Sequence, residues 1–166
     1  MKPDDAVQAF EGRMVAVTVE RWGDAEREIV ERADSVAIAA VDGAGRLVLV
    51  RQPREAARKE LLELPAGTVD EGEEPEQTAR RELREETGLQ GGRWQAGPVF
   101  WATPGFCRER IHLFAVDGAD EGEPAPEVNE RIEVVRVSLA EAVEWAPRLE
   151  DGKTIAGILW LATLQL

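Results

Sequence analysis

The chain of 166 residues has one cysteine, one histidine and no tyrosine, and its 20 lysines and arginines face 33 aspartates and glutamates. Each shortage removes a class of explanation. A single cysteine, Cys107, builds neither a disulfide framework nor a zinc cluster within one chain, and such sparse usage fits a reducing, cytoplasmic compartment. The formal charge of −13 argues against nonspecific nucleic-acid binding, which needs basic surface to neutralise phosphates. The opening MKPDDAVQAF lacks the apolar core of a signal peptide. The most apolar run, residues 154–166, is too short to cross a bilayer and reads as a packed helix, so no membrane partner is expected. The single histidine, His112, sits in a strand-like run, where a packed or half-exposed side chain is expected. Cys107 has no histidine beside it in sequence to make it a nucleophile.

What is present suits one domain over residues 1–166, since 43% of the residues are hydrophobic and no linker or repeat divides the chain. Alternating or β-rich runs predict strands at residues 14–20 (MVAVTVE) and 26–32 (EREIVER), with Trp22-Gly23-Asp24 as the turn between them. Residues 35–41 (SVAIAAV) and 46–51 (RLVLVR) flank the turn sequence Asp42-Gly43-Ala44-Gly45 as a hairpin. Residues 60–64 (ELLEL) form a shorter extended candidate ended by Pro65 and Gly67, and residues 99–102, 111–116 and 132–137 predict further strands. Residues 120–129 are acidic and proline-bearing and predict an exposed loop. The clearest helix spans residues 75–87: proline suits its first turn, Ala79 and Leu83 form a buried stripe, and Gly88 suits its stop. Residues 139–145 and 153–164 predict two more helices. Strands, helix, strands, helices is an α+β order rather than a regular βαβ repeat.

The helix at residues 75–87 carries the chemistry. Glu82, Glu85 and Glu86 lie three and four residues apart and share one face, where like charges repel. A hard divalent cation, which takes carboxylate oxygens and often substrate phosphates, reverses that penalty. Arg81 stands four residues before Glu85 and is expected to pair with it and organise the carboxylates. Ordinary charge patterning on a solvated face is the alternative.

The spacing of residues 67–89, GTVDEGEEPEQTARRELREETGL, resembles the signature of the Nudix hydrolases at every defined position. The resemblance implies the Nudix fold, a mixed β-sheet sandwiched between α-helices, and hydrolysis of a nucleoside diphosphate linked to another group with Mg²⁺ or Mn²⁺, more than one ion per site. By motif position, Glu82 and Glu86 correspond to the principal metal ligands, Glu85 to an additional ligand with an orienting role, and the carbonyl of Ala66 to a further one. Gly67 lets the backbone approach the metal. Glu73 corresponds to the glutamate that ties loop to helix, while Glu74 and Glu76 fall at unconstrained positions and are expected to be solvated.

Outside the motif, Arg51-Gln52-Pro53-Arg54, Thr103-Pro104-Gly105-Phe106 and the DGKTIAGI run at residues 151–158 resemble the ADP-ribose pyrophosphatase branch, in which a proline sixteen residues after the motif glycine is a marker; Pro104 stands at that distance from Gly88. The branch implies cleavage of ADP-ribose to AMP and ribose 5-phosphate by a homodimer, with the strands of residues 1–34 as candidates for the subunit contact. Arg54 and Arg51 are candidates for holding phosphate, since a guanidinium fork suits it, or for structural ion pairs. Arg27 is a candidate for reaching a partner subunit's site. The branch places a catalytic base in the acidic loop, with Glu130 as the first choice and Glu127 as the alternative. Glu109 is a candidate for a further metal or water contact, or for pairing with a neighbouring arginine. Of the five tryptophans, Trp22, Trp94, Trp101, Trp145 and Trp160, each has core or subunit contact as its default and adenine stacking as the alternative. A different nucleoside diphosphate sugar such as GDP-mannose, or an inactive binding module of the same fold, are the competing readings.

Overall fold

The computed structural model describes residues 1–123 and 131–164. Its first three strands, β1 (Asp5–Glu11), β2 (Ala16–Trp22) and β3 (Ala25–Glu31), form an antiparallel sheet of their own in that order. The two expected strands are β2 and β3, joined by a turn with Gly23. Strand β1 has no signature in the sequence: all seven of its residues are exposed, so no burial pattern marks it, and only its pairing with β2 defines it.

Strand β4 (Ser35–Asp42) is buried along its whole length. A strand covered on both faces reads as a continuous apolar run, which is how SVAIAAV appears. Beside it run β5 (Arg46–Arg54), β6 (Lys59–Glu63) and β7 (Ala66–Thr68). The helix α1 (Pro75–Thr87) precedes β8 (Arg93–Trp101), β9 (Arg110–Ala119) and β10 (Glu133–Ser138). The chain then closes with α2 (Leu139–Trp145), a 3-10 turn at Ala146–Arg148 and α3 (Gly152–Leu161). The main sheet has seven strands in the path β10-β5-β4-β9-β8, with β6 on β5 and β7 on β4; β4 and β9 are parallel and the other pairs antiparallel.

The period-2 alternation of β4 divides the core. Val36, Ile38 and Ala40 pack with Ala79 and Leu83 of α1. Ala37, Ala39 and Val41 pack on the opposite face with Ala142 of α2 and with Ile158 and Leu161 of α3. This is the expected mixed sheet between helices.

Several boundaries differ from the sequence reading. Strand β5 continues through Pro53 to Arg54 because β6 pairs with it there. Beyond Pro65, the chain returns to an extended path as β7, and the Pro65 carbonyl accepts from the Ile38 N–H at 2.9 Å. Strand β8 begins six residues before the expected start; it is a largely exposed edge strand with a register shift between Ala96 and Val99, so it lacks a clean apolar alternation. Helix α3 ends at Leu161 rather than at residue 164.

Candidate active site

The site arises where β5 parts from β4. Ala40 and Val41 of β4 pair with β5, whereas Ser35, Val36 and Ala37 pair with β7. Past Val48, β5 takes β6 as its neighbour instead. The divergence opens a cleft of about 1040 Å³, with Ala66, Gly67 and Thr68 of β7, Arg54 of β5, Lys153 of α3 and Trp101 of β8 among its lining residues.

Helix α1 brings carboxylates to β7. It begins after Glu74, whose backbone N–H donates to the Gln77 side chain at 3.0 Å. It is anchored by the fully buried Ala79 and Leu83. It ends at Gly88, whose φ of 78° is the left-handed conformation glycine adopts without strain. On the face towards β7, Glu86 is 4% exposed and accepts from the Ala66 N–H at 3.1 Å. Glu82 lies so close to Gly67 that a Cβ there would stand 2.1 Å from its carboxylate carbon. A side chain at position 67 would displace the Glu82 carboxylate from this position.

Arg81 gathers the remaining acids. Its Nη1 donates to Glu82 at 2.8 Å and to Glu85 at 3.1 Å, and its Nη2 to Glu73 at 3.2 Å and Asp70 at 3.3 Å. The expected Arg81–Glu85 pair is thus one spoke of a larger hub. Burial works against the charge on Arg81, but the bonds to Glu73, Glu85 and Glu82 outweigh it and hold the guanidinium protonated more firmly than usual. Glu73 also accepts from the Thr78 hydroxyl at 2.7 Å, which ties the loop to the helix. The bonds from Arg81 and Thr78 hold its carboxyl below the ordinary range. Glu74 and Glu76 are not merely solvated: Glu74 starts the helix, and Glu76 pairs with Arg80 one turn on at 2.6 Å.

The donors available beside β7 are oxygens carrying high negative charge, the chemistry that suits a hard divalent cation. Glu82 and Glu86 reach the β7 backbone, at Gly67 and at the Ala66 N–H, and Glu85 is held beside Glu82 by Arg81. Among the described residues, no three acidic, histidine or cysteine side chains form a ready cage; Arg81 is the cation that Glu82 and Glu85 share.

A second cluster, in which cations gather on a buried acid, also lines the cleft. Glu63, at the end of β6, is 1% exposed and accepts from Arg54 Nε at 2.7 Å and Arg54 Nη2 at 2.8 Å. Lys153 Nζ donates to it at 2.5 Å and to Asp151 at 2.9 Å. Asp151 is the N-cap of α3, accepting from the Thr154 N–H at 2.9 Å, and the Thr154 hydroxyl oxygen accepts from the Leu64 N–H at 2.8 Å. Burial alone would raise the Glu63 carboxyl; the bonds from Arg54 and the attraction of Lys153 outweigh it and hold it below the ordinary range. Sequence reasoning passed over Glu63 and Lys153. A signal existed, because a glutamate between leucines in ELLELPAG is a charge inside an apolar run, and a buried charge needs partners.

The other expected residues are dispersed. Arg51 pairs across strands with Glu133 at 3.4 Å and is not among the cleft residues. Arg27 is exposed on β3 and donates to the Glu26 carbonyl at 2.8 Å. Pro104 is exposed in the turn between β8 and β9. Glu109 lines the cleft, accepting from the Ser35 hydroxyl at 2.5 Å with Arg32 at 3.8 Å, so its arginine pairing is present. Glu127 and Glu130 lie outside the described residues. His112 meets Asp34 at 3.1 Å and is mostly buried. Trp94 packs edge-on to Phe114 with Arg80 over its ring. Trp145 and Trp160 pack against the core, and Trp101 is exposed in the cleft.

The NUDIX domain profile matches residues 31–157. An ADP-ribose pyrophosphatase of Bacillus subtilis (strain 168) is 34% identical over 163 residues, which cover 93% of this chain and 88% of that protein. A methanol dehydrogenase activator of Bacillus methanolicus is 33% identical over 163 residues with the same coverage. An ADP-ribose pyrophosphatase of Mycobacterium tuberculosis (strain ATCC 25618 / H37Rv) is 43% identical over 104 residues, 61% of this chain and 50% of that protein. With the motif glutamates on one helix face beside β7 and the profile spanning most of its length, the chain belongs to the NUDIX domain family.

Proposed function

We propose that the chain hydrolyses the diphosphate bond of ADP-ribose to AMP and ribose 5-phosphate. Water adds to one phosphorus and the bridging oxygen leaves with the other. The observation that carries this reading is the contact of Glu82 with Gly67 and of Glu86 with the Ala66 N–H beside a cleft whose wall holds Arg54. Glu82, Glu86, Glu85 and the Ala66 carbonyl would hold Mg²⁺ or Mn²⁺, more than one ion per site. When bound, the divalent ion supplies positive charge against the diphosphate and makes water more acidic.

The chain's own residues supply the rest. Arg54 meets a phosphate oxygen with the donors left free by Glu63. Arg51, Arg27 and Pro104 are secondary candidates for substrate contact, the first two through their guanidinium groups. Glu130 takes the proton from the attacking water, with Glu127 as the alternative. Two chains form a homodimer through the N-terminal sheet, where Val7, Phe10 and Met14 are exposed apolar side chains. The protein works in the cytoplasm; no helix among the described residues is long and apolar enough to cross a membrane.

Relatives of near-equal similarity carry different names, so a substrate panel decides. ADP-ribose, other ADP-sugars, GDP-mannose and UDP-glucose are incubated with the protein and Mg²⁺ or Mn²⁺, and the products separated. AMP and ribose 5-phosphate formed fastest from ADP-ribose support the reading; faster cleavage of GDP-mannose overturns it. Glu130→Gln lowers turnover while substrate still binds; if Glu127→Gln does so instead, the base is Glu127.

A further inference from the structure

The network around Glu63 has more cationic donors than its carboxylates use. Arginine offers five N–H groups and lysine three. The Arg54 fork spends Nε and one Nη2 proton on Glu63, and the charges of Glu86 and Asp151 also act on its guanidinium. Lys153 spends donors on Glu63 and Asp151 and has one left. Arg54 and Lys153 both line the cleft that Ala66 and Gly67 also line. Lys153 rides on the first turn of α3, which Asp151 and Thr154 lock to β6 through the Leu64 N–H. Two cations are therefore presented from rigid elements, aimed by one buried anion. A flexible lysine on a surface would pay rotamer entropy to bind an anion; one already held at 15% exposure has paid most of it on folding.

We propose that Lys153 is a second cationic contact for the substrate's anionic end, and that Glu63 is the positioning residue that holds Arg54 and Lys153 against the cleft. The inference rests on the reading of the site as a nucleoside diphosphate hydrolase and adds residues that the motif does not contain. Glu63 acts through its partners and does not touch the reacting atoms.

The test is steady-state hydrolysis of ADP-ribose by the full chain with Mg²⁺, comparing wild type, Lys153→Gln, Lys153→Arg and Glu63→Gln. Loss of one charge-assisted contact to a phosphate raises KM by about tenfold to a hundredfold in Lys153→Gln. The accompanying change in kcat is several-fold smaller, and Lys153→Arg recovers most of the lost affinity. Equilibrium binding of ADP-ribose in EDTA, where turnover stops, weakens in parallel. Glu63→Gln shows the same split if it folds. If it does not fold, the Lys153 pair carries the decision, because Lys153 lies at the cleft edge and its removal leaves the Arg54–Glu63 fork in place. Unchanged KM and unchanged binding in Lys153→Gln overturn the inference while the hydrolase reading stands. A fall in thermal stability with no change in KM makes Lys153 structural only and also overturns it. A wild-type protein that cleaves none of the nucleotide sugars overturns the hydrolase reading and this inference with it.

Discussion

The two charged clusters of the cleft are built on opposite plans. Around Arg81 one guanidinium is shared by Glu82 and Glu85 of α1, the helix that also carries Glu86, and by Asp70 and Glu73 of the preceding loop. Around Glu63 one buried carboxylate is shared by Arg54 and Lys153. In the first, a lone cation sits at the centre of the acids; in the second, Glu63 sits between Arg54 and Lys153, and Lys153 also meets Asp151. The first cluster offers surplus oxygens to a cation, and the second offers surplus N–H groups to an anion. The formal charge of −13 therefore says little about what the cleft attracts. Screening in salt confines the pull of distant surface charge to about 8 Å, so a ligand in the cleft feels chiefly these two clusters.

The largest effect separates them by breaking the acidic cluster alone. Glu82→Gln or Glu86→Gln keeps size and shape but removes a charged oxygen donor, and kcat/KM for ADP-ribose falls about a thousandfold, the scale of losing several kcal/mol of metal-derived stabilisation. The metal concentration needed for half activity rises at the same time. Titration of activity with Mg²⁺ and Mn²⁺ checks this, and activity within threefold of wild type in both variants would remove the metal role from α1.

Breaking the second cluster costs stability before activity. Replacing Glu63 takes from Arg54 the buried carboxylate it forks onto and leaves Lys153 with Asp151. One-sided loss of a buried ion pair costs about 3 kcal/mol at the low end of its range, which applies because the Arg54 side chain is partly open to solvent. Urea unfolding of Glu63→Gln against wild type measures it. The difference depends on pH in a defined direction. The Glu63 carboxyl is lower in the folded protein than its ordinary value of 4.5. Its contribution is therefore complete above that value and is lost as the pH falls through the lower, folded value. The gap between wild type and Glu63→Gln narrows as the pH falls below 4.5. A gap that widens in acid would mean that Glu63 is not the organiser of its cations.

The contrast also explains what was legible in the sequence. The acidic cluster is local: Glu73 to Glu86 lie within one loop and one helix, so helical spacing alone puts Glu82, Glu85 and Glu86 together and predicts the Arg81–Glu85 pair. The cationic cluster is assembled from β5, β6 and α3, with ninety residues between Glu63 and Lys153. No spacing rule joins such positions: the glutamate inside ELLEL signals that a buried charge needs partners but not which residues supply them. Fold followed the same division. The buried alternation of β4 and the proline-to-glycine limits of α1 could be read directly, whereas exposed β1 and the three-residue β7 exist only through partners supplied by the rest of the chain.

A smaller effect tests whether Arg81 stands in for a cation. Arg81→Ala removes the shared counter-charge and leaves Glu82, Glu85 and Glu86 to repel at helical spacing. With its partners partly exposed, the loss of stability is about 1–2 kcal/mol. A divalent ion that binds the folded site offsets it by mass action. Millimolar Mg²⁺ therefore raises the Tm of Arg81→Ala more than that of wild type. Equal shifts in the two proteins would show that the ion and Arg81 do not compete for the same carboxylates.

The smallest effect compares the two arginines of Arg51-Gln52-Pro53-Arg54, which the sequence alone left as joint candidates. They stand three residues apart in one strand but in different surroundings. Arg54 forks onto buried Glu63 and lines the cleft, whereas Arg51 meets Glu133 at 3.4 Å with both side chains about half exposed or more. An exposed pair of this kind contributes about 0.5 kcal/mol or less. Arg51→Ala therefore leaves both urea midpoint and KM close to wild type, while Arg54→Ala raises KM by about tenfold or more, the scale of one charge-assisted contact. Parallel kinetics on the two variants check the difference. A rise in KM for Arg51→Ala equal to that for Arg54→Ala would extend the cationic wall along β5 beyond the reach of Glu63, and the buried carboxylate would no longer mark which arginine meets substrate.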